Sequence, residues 1–343
     1  LAEWQAHDIT VEQPHTVPTR HGPVEAQLYR PEGGMARAVL LVPGIHSMGI
    51  REPRLTGLAA DLAATGVTVM TMALPDLMQY QITARSSDVI EDAVAWMAER
   101  RELAPDGRVG MIGISFAGGL AIVAAGRPSI RDKVAFVVSF GGHGDLQRTM
   151  RYLASGRTPE VPGLRTHPPH DYGVAVILYA GADRVVPKEQ VAALREGIAT
   201  FLYASQLTLV DMNQANATFQ KAREMAKTLP EPSATLLEYV NDRNVKALGP
   251  ILLPHIEAEN GDPAASPEHA PSPPSAPVYL IHGDDDTVIP AAESVLLAEH
   301  LRMRGAEVHL LLSGLITHAE VDRSAAAAET WRLVRFWAQV LSE

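Results

Sequence analysis

The sequence has no cysteine in its 343 residues. That excludes disulfides, thiol nucleophiles, iron–sulfur clusters and cysteine-based zinc sites together, and it names no compartment. Positive charge is scarce: 29 Lys and Arg stand against 40 Asp and Glu, a net charge of −11. Sequence-independent nucleic-acid binding and adhesion to anionic membranes both need clustered positive charge, so neither is expected. There is no phosphate-cradling glycine loop, because Gly113–Gly119 (GISFAGG) lacks the Gly-Lys-Ser/Thr ending. Long uncharged runs are limited to Val109–Gly126, 18 residues between Arg108 and Arg127, about the minimum for crossing a bilayer. Five of those positions are Gly, and the run changes from β-branched alternation to an Ala-rich helical pattern. A strand, a tight turn and a helix explain it better than a membrane span. The chain starts at Leu1 rather than Met. It is expected to be soluble as given, either cytoplasmic or extracytoplasmic with a signal or anchor segment absent from this chain.

What is present is an ordinary globular composition, 46% hydrophobic and 20% charged, enough for one large domain with an insertion or for two domains. The first thirty residues are expected to be antiparallel, with extended Ile9–Thr19 and Val24–Arg30 around the turn signal Arg20-His21-Gly22-Pro23. From Ala36 the pattern alternates: strands at Arg37–Pro43, Val67–Ala73, Arg108–Ile114 and Lys133–Phe140, and helices at Arg54–Thr65 and Phe116–Ala125. A further helix carries Val89, Ala93, Trp96 and Met97 on one face. Apolar runs separated by helices are how a mostly parallel sheet covered on both faces reads.

The alternation breaks at Leu146. Residues 146–276 are mostly helical in pattern, with Val191, Leu194, Ile198 and Phe201 on one face and Phe219, Ala222, Met225 and Leu229 on another. This part ends in a Pro/Ser-rich stretch, Gly261–Pro277, expected to be a polar, partly extended linker. Alternation resumes with a strand at Pro277–Gly283, a helix at Ala291–Arg304, a strand at Ala306–Leu312 and a closing helix at Ser324–Leu341. The expected division is therefore a core at 1–145 and 277–343 interrupted by a helical insertion at 146–276.

GISFAGG lies between an expected strand and an expected helix. A serine on such a turn projects its hydroxyl above the sheet and needs small residues two before and two after it. Gly113 and Ala117 meet that need, and Ser115 sits at a helix N-terminus, which favours an oxyanion. With these motifs in this order, the chain resembles an α/β-hydrolase-fold serine hydrolase of the bacterial esterase/lipase type, with a helical lid. The resemblance covers nearly everything outside the insertion. It departs at Ala117, where many members have Gly.

The resemblance implies the order nucleophile, acid, base, each at the carboxyl end of a strand. Ser115 is then the nucleophile. His318, in the loop after the last strand, is the base that takes the serine proton. Asp286, a short turn after Pro277–Gly283, leads for the acid, with Asp284, Asp285 and Asp145 as alternatives. Asp183 competes because Tyr179–Pro187 (YAGADRVVP) echoes Ile281–Pro290 (IHGDDDTVIP) and follows an apolar run, Val174–Ala182, readable as a strand or as a lid helix. The three Asp do not form a calcium loop, since Val288 and Ile289 occupy positions that need a ligand and a Gly. The implied oxyanion hole is the N–H of Phe116 with that of Ile45, or alternatively His46, in the loop Pro43–Gly49. His46 and His282 are otherwise read as structural or pocket-lining.

The implied activity is cleavage of carboxylic esters through an acyl-enzyme, with no cofactor and no metal. The expected partner is a small-molecule ester carrying an apolar group. Amidase, peptidase, thioesterase, acyltransferase and cofactor-free peroxidase chemistry use the same machinery, and a non-catalytic binding protein on the same fold is the reading from a different class. Apolar residues of the insertion (Met150, Leu153, Phe201, Leu202, Phe219, Met225) cover either the pocket mouth or one another.

Overall fold

The computed structural model describes residues 7–33, 37–259, 262–317, 320–321 and 327–343. In chain order the strands are β1 (Ile9–Val11), β2 (His15–Val17), β3 (Val24–Pro31), β4 (Ala38–Val42), β5 (Thr68–Met72), β6 (Val109–Ile114), β7 (Val134–Phe140), β8 (Val278–Gly283) and β9 (Val308–Ser313). A small pair, β10 (Ile316–Thr317) and β11 (Glu320–Val321), follows. The helices between the strands are α1 (Pro53–Ala64), α2 (Pro75–Met78), α3 (Ala84–Ala98) and α4 (Phe116–Ala125). Next come α5 (Leu146–Ser155), α6 (Tyr172–Ala180), α7 (Ala182–Val185), α8 (Val191–Leu207), α9 (Met212–Ala226), α10 (Ser233–Asn241) and α11 (Val245–Glu259). The chain closes with α12 (Ala292–Met303) and α13 (Ala327–Val340).

Among the described residues one sheet runs β1-β3-β5-β4-β6-β7-β8-β9, with β2 also paired to β3. β3 is antiparallel to β1, β2 and β5, whereas β5-β4-β6-β7-β8-β9 are all parallel. The parallel strands are apolar at nearly every position because both faces are covered. Val39, Leu41, Val69, Ile112, Val138 and Ile281 form one buried cluster with Leu55, Ala59 and Leu62 of α1 and Phe336 and Val340 of α13. Helices α3, α4 and α12 contact the strands outside that cluster and cover the opposite face. Burial at about 25 cal/mol per Å² of apolar area drives this packing.

The chain divides into two compact units, residues 1–145 with 263–343, and residues 146–262. The first contains the sheet. The regular elements of the second, among the described residues, are all helices, α5 to α11 with a short 3₁₀ turn at Lys188–Gln190. Within it Phe201 and Phe219 pack at 5.5 Å between ring centres, and the Arg243 guanidinium lies 5.4 Å from each ring. Leu153, Phe201 and Leu202 are buried.

The second unit ends at Asp262, fourteen residues short of the expected boundary at 276, and the Pro/Ser-rich stretch is not a solvated linker. It folds into short 3₁₀ turns at Pro263–Ala265 and Pro267–His269 and buries Ala265, Ser266, Ala270 and Ala276 against the first unit. Its backbone carbonyls are held from a distance. His143 Nε2 donates to Ala265 O at 2.9 Å, and Arg304 donates to Ala270 O at 2.7 Å and to Pro271 O at 2.5 Å. No helix among the described residues is long and apolar enough to cross a membrane, and the uncharged run 109–126 resolves into β6, a turn and α4.

Candidate active site

The site is built at the carboxyl edge of the parallel strands. Ser115 follows β6 at φ 55° and ψ −134°, a left-handed conformation that is sparsely populated for a residue with a side chain and costs on the order of 1–3 kcal/mol. Its surroundings fix it there. Ser115 N–H donates to Phe140 O at 2.8 Å at the end of β7. A Cβ on Gly113 would lie 2.4 Å from Ala117 O, and one on Gly118 would lie 2.3 Å from Ser139 Oγ. So only glycine lets α4 turn back so closely on β6 and β7. Gly113, two before the serine, and Gly118, three after it, are glycines because a side chain at either has no room.

The loop after β4 reaches the same place. β4 and β6 are in register at Val42 and Gly113, and a Cβ on Gly44 would stand 3.3 Å from Ser115 Cβ. Gly44, the residue before Ile45, thus lies against the serine. As the first residue of α4, Phe116 presents an N–H that precedes the helix's own ladder. Among the described residues, neither the Phe116 nor the Ile45 N–H meets a protein acceptor.

Asp286 stands at the end of β8, two strands across from β6. Ile114, Phe140 and Ile281 are partners across β6, β7 and β8, which levels the three strand ends. Of the three consecutive Asp, Asp284 and Asp285 are exposed and Asp286 is 4% exposed. Its Oδ1 accepts the N–H of Val288 at 2.8 Å and of Ile289 at 3.0 Å, which locks the carboxylate into its own turn. Charge-assisted bonds of this kind are what allow a carboxylate to be buried.

Solved structures share this architecture. A mutant of the esterase rPPE complexed with (S)-Ac-CPA matches at 14% identity over 97% of this chain and 83% of its own, with a TM-score of 0.51. Vibralactone cyclase matches at 13% identity over 100% of this chain and 82% of its own, with a TM-score of 0.50. This chain has the α/β-hydrolase fold. The hyperthermophilic esterase of Pyrobaculum calidifontis matches at 16% identity over 97% of this chain and 85% of its own, with a TM-score of 0.48. No protein-family model and no curated protein matches the sequence.

Within the α/β-hydrolase sheet the other candidate acids are placed elsewhere. Val174–Ala180 belongs to helix α6, not to a strand, and Asp183 lies in the short helix α7, exposed and paired with Arg195 at 2.7 Å. Asp145 Oδ2 meets His269 Nε2 at 2.9 Å, and its backbone N–H donates to the buried Glu293 at 3.0 Å. His318, expected as the base, lies outside the described residues.

His46 is held by its own loop. Met48 N–H donates to its Nδ1 at 3.2 Å, which puts the ring proton of the neutral form on Nε2. Burial pushes its pKa below the usual imidazole value, partly opposed by Glu52, so the ring is neutral at physiological pH. Glu52 itself caps α1, accepting Leu55 N–H at 2.7 Å. Among the described residues no group of three or more His, Asp or Glu is placed to hold a metal ion.

Sequence reasoning put His282 among structural or pocket-lining histidines and did not see its bonding. It is buried in β8, with Nδ1 2.7 Å from Ser294 Oγ and Nε2 2.8 Å from Ile289 O and 3.4 Å from Asp286 Oδ2. Those partners come from α12 and from the turn after β8, and no local pattern around His282 announces them.

Proposed function

We propose that this protein is a serine hydrolase that cleaves carboxylic esters through an acyl-enzyme, with Ser115 as nucleophile, His318 as base and Asp286 as the orienting acid. The observation that carries the reading is the backbone of Ser115: a side-chain-bearing residue forced to φ 55° between β6 and α4, followed by the Phe116 N–H, which meets no protein acceptor among the described residues. Strain of this kind persists only where the surroundings over-determine it, and it concentrates at reactive positions.

In this mechanism Ser115 Oγ attacks the ester carbonyl carbon while His318 takes the hydroxyl proton. The carbonyl oxygen becomes an oxyanion that accepts the N–H groups of Phe116 and Ile45. The tetrahedral intermediate collapses with breakage of the ester C–O bond, and His318 returns the proton to the departing alcohol. Water, deprotonated by the same imidazole, then attacks the acyl-serine and regenerates Ser115. Asp286 keeps the imidazole in the tautomer that can accept a proton and stabilises the imidazolium that forms. Neutral His46, within the oxyanion loop, adds no competing positive charge. The partner is a small ester, with preference for an apolar acyl or alcohol group, and the helical unit of residues 146–262 serves as the lid that selects it.

The test is fluorophosphonate labelling followed by turnover of p-nitrophenyl esters, amides and thioesters. Ser115 is expected to be the one labelled residue, and esters to turn over fastest. Ser115→Ala is expected to abolish labelling and to lower kcat by about 10⁶. Labelling at another residue, or turnover retained in Ser115→Ala, overturns the assignment. Amides or thioesters as the preferred class would keep the machinery and replace the substrate.

A further inference from the structure

Three groups close a ring around the acid-bearing turn. Asp286 Oδ1 accepts the N–H of Ile289, and the carbonyl of the same Ile289 accepts from His282 Nε2 at 2.8 Å. That nitrogen also stands 3.4 Å from Asp286 Oδ2. A backbone carbonyl can only accept, so Nε2 carries a proton, and in that tautomer Nδ1 accepts the Ser294 hydroxyl at 2.7 Å. His282, Ser294 and Ile289 are all 0% exposed and Asp286 is 4% exposed, so no solvent competes for these bonds.

We propose that His282 is a positioning residue for Asp286, with its tautomer set by Ser294. The proposal rests on Asp286 being the triad acid. β8 fixes His282 between β7 and β9, whereas Asp286 lies three residues beyond the strand, in a turn that is tied to the sheet among the described residues by the long Asp284 N–H bond to Ser313 O at 3.4 Å. The imidazole ties that turn to the strand through Ile289 and places an N–H dipole against Oδ2. Removing it leaves the buried Ile289 carbonyl without its partner and lets the carboxylate rotate away from the base. Residues that orient a working group in this way typically change activity by about 10–100-fold when lost.

The experiment is a double-mutant cycle on kcat and KM for a p-nitrophenyl ester, with thermal melts on every variant. His282→Leu is expected to lower kcat by about 10–100-fold with KM within about threefold of wild type. His282→Gln still offers an N–H toward Ile289 and Asp286, and is expected to recover most of kcat even where its melting temperature stays low. In the Asp286→Asn background His282→Leu is expected to change the residual kcat by less than about threefold, because its effect runs through that carboxylate. A merely structural role predicts equal losses in both backgrounds and no rescue by Gln, and either result overturns the proposal. If His282→Leu gives no cooperative melt, Ser294→Ala carries the cycle: a loss of kcat that vanishes on Asp286→Asn supports the positioning role, and an unchanged or additive loss overturns it. The two readings separate cleanly. Full activity in Asp286→Asn removes the acid assignment and the proposal with it, while an inactive Asp286→Asn with additive His282 losses removes only the proposal.

Discussion

Asp183 and Asp286 each open the pattern Asp-x-Val-Val/Ile-Pro after an apolar run, and the fold puts them to opposite uses. The run before Asp286 is β8, hydrogen-bonded to β7 and β9, and its end delivers the carboxylate into a buried turn with two backbone N–H donors. The run before Asp183 is α6, whose Val174, Ala175, Val176 and Leu178 are buried in the helical unit, and its end delivers an exposed carboxylate to Arg195. Short apolar stretches carry no period that separates strand from buried helix, and what packs alongside decides. The lesson concerns the acid: a carboxylate becomes a candidate through the strand it terminates and the donors that bury it, not through the letters around it.

Neutralising each carboxylate in turn separates the two. Asp286→Asn is expected to lower kcat by about 10⁴, the cost of losing the orienting carboxylate in well-studied triads. Asp183→Asn is expected to stay within about tenfold of wild type. Steady-state kinetics with circular dichroism on both variants checks this, and an inactive, folded Asp183→Asn would reverse the assignment.

The glycines ahead of each acid give a second contrast, in stability. A Cβ on Gly283 would lie 2.0 Å from Ile316 O, a backbone atom that cannot swing aside, whereas one on Gly181 would meet Ile177 O at 3.4 Å, ordinary contact. Gly181 also has φ −91°, open to any residue. Gly283→Ala is therefore expected to destabilise by about 3 kcal/mol or to prevent folding. Gly181→Ala is expected to change stability by less than about 1 kcal/mol, in the stabilising direction, by restricting the unfolded chain. Thermal melts of the two variants side by side would show it, and equal shifts would refute the packing account.

The same contrast explains what could be read from sequence. The alternation of β4 to β9 with their helices was legible because strands buried on both faces are apolar throughout, and the Ser115 turn was legible because its requirements, Gly113 and Ala117, are adjacent in the chain. Among the three neighbouring Asp, the one that is buried could not be told from the letters alone. Asp286 is buried and Asp284 and Asp285 are exposed because of how the turn folds onto β8 and α12. The segment 263–276 was misread because its composition is that of a solvated linker, while the groups that bind it, His143, Arg304 and the Arg131 that reaches Ser275, lie more than thirty residues away in sequence. The bonding of His282 is hidden for a different reason. Its partners Ser294 and Ile289 follow it closely in the chain, yet Ile289 meets it only once the turn after β8 has closed and Ser294 only once α12 has folded back over β8.

The smallest expected effect lies in the pair that makes Asp183 look purposeful. Arg195 Nη2 contacts Asp183 at 2.7 Å, but both side chains are partly in water, and exposed pairs of this kind contribute only about 0.2–1 kcal/mol. Arg195 does more for the helix before it: Nε donates to Tyr179 O at 2.9 Å and Nη2 to Ala180 O at 3.0 Å, satisfying carbonyls at the end of α6 that have no partner in the helix itself. Arg195→Ala should therefore cost more than Asp183→Ala, about 1–2 kcal/mol against less than about 0.5 kcal/mol. Raising the salt concentration should shrink the Asp183 effect and leave most of the Arg195 effect in place, because screening weakens the ion pair far more than the hydrogen bonds to carbonyls. Unfolding melts at low and high salt would separate the two contributions. If Asp183→Ala instead costs as much as Arg195→Ala at both salt concentrations, the carboxylate is a structural anchor of α7, and its resemblance to Asp286 has a physical basis after all.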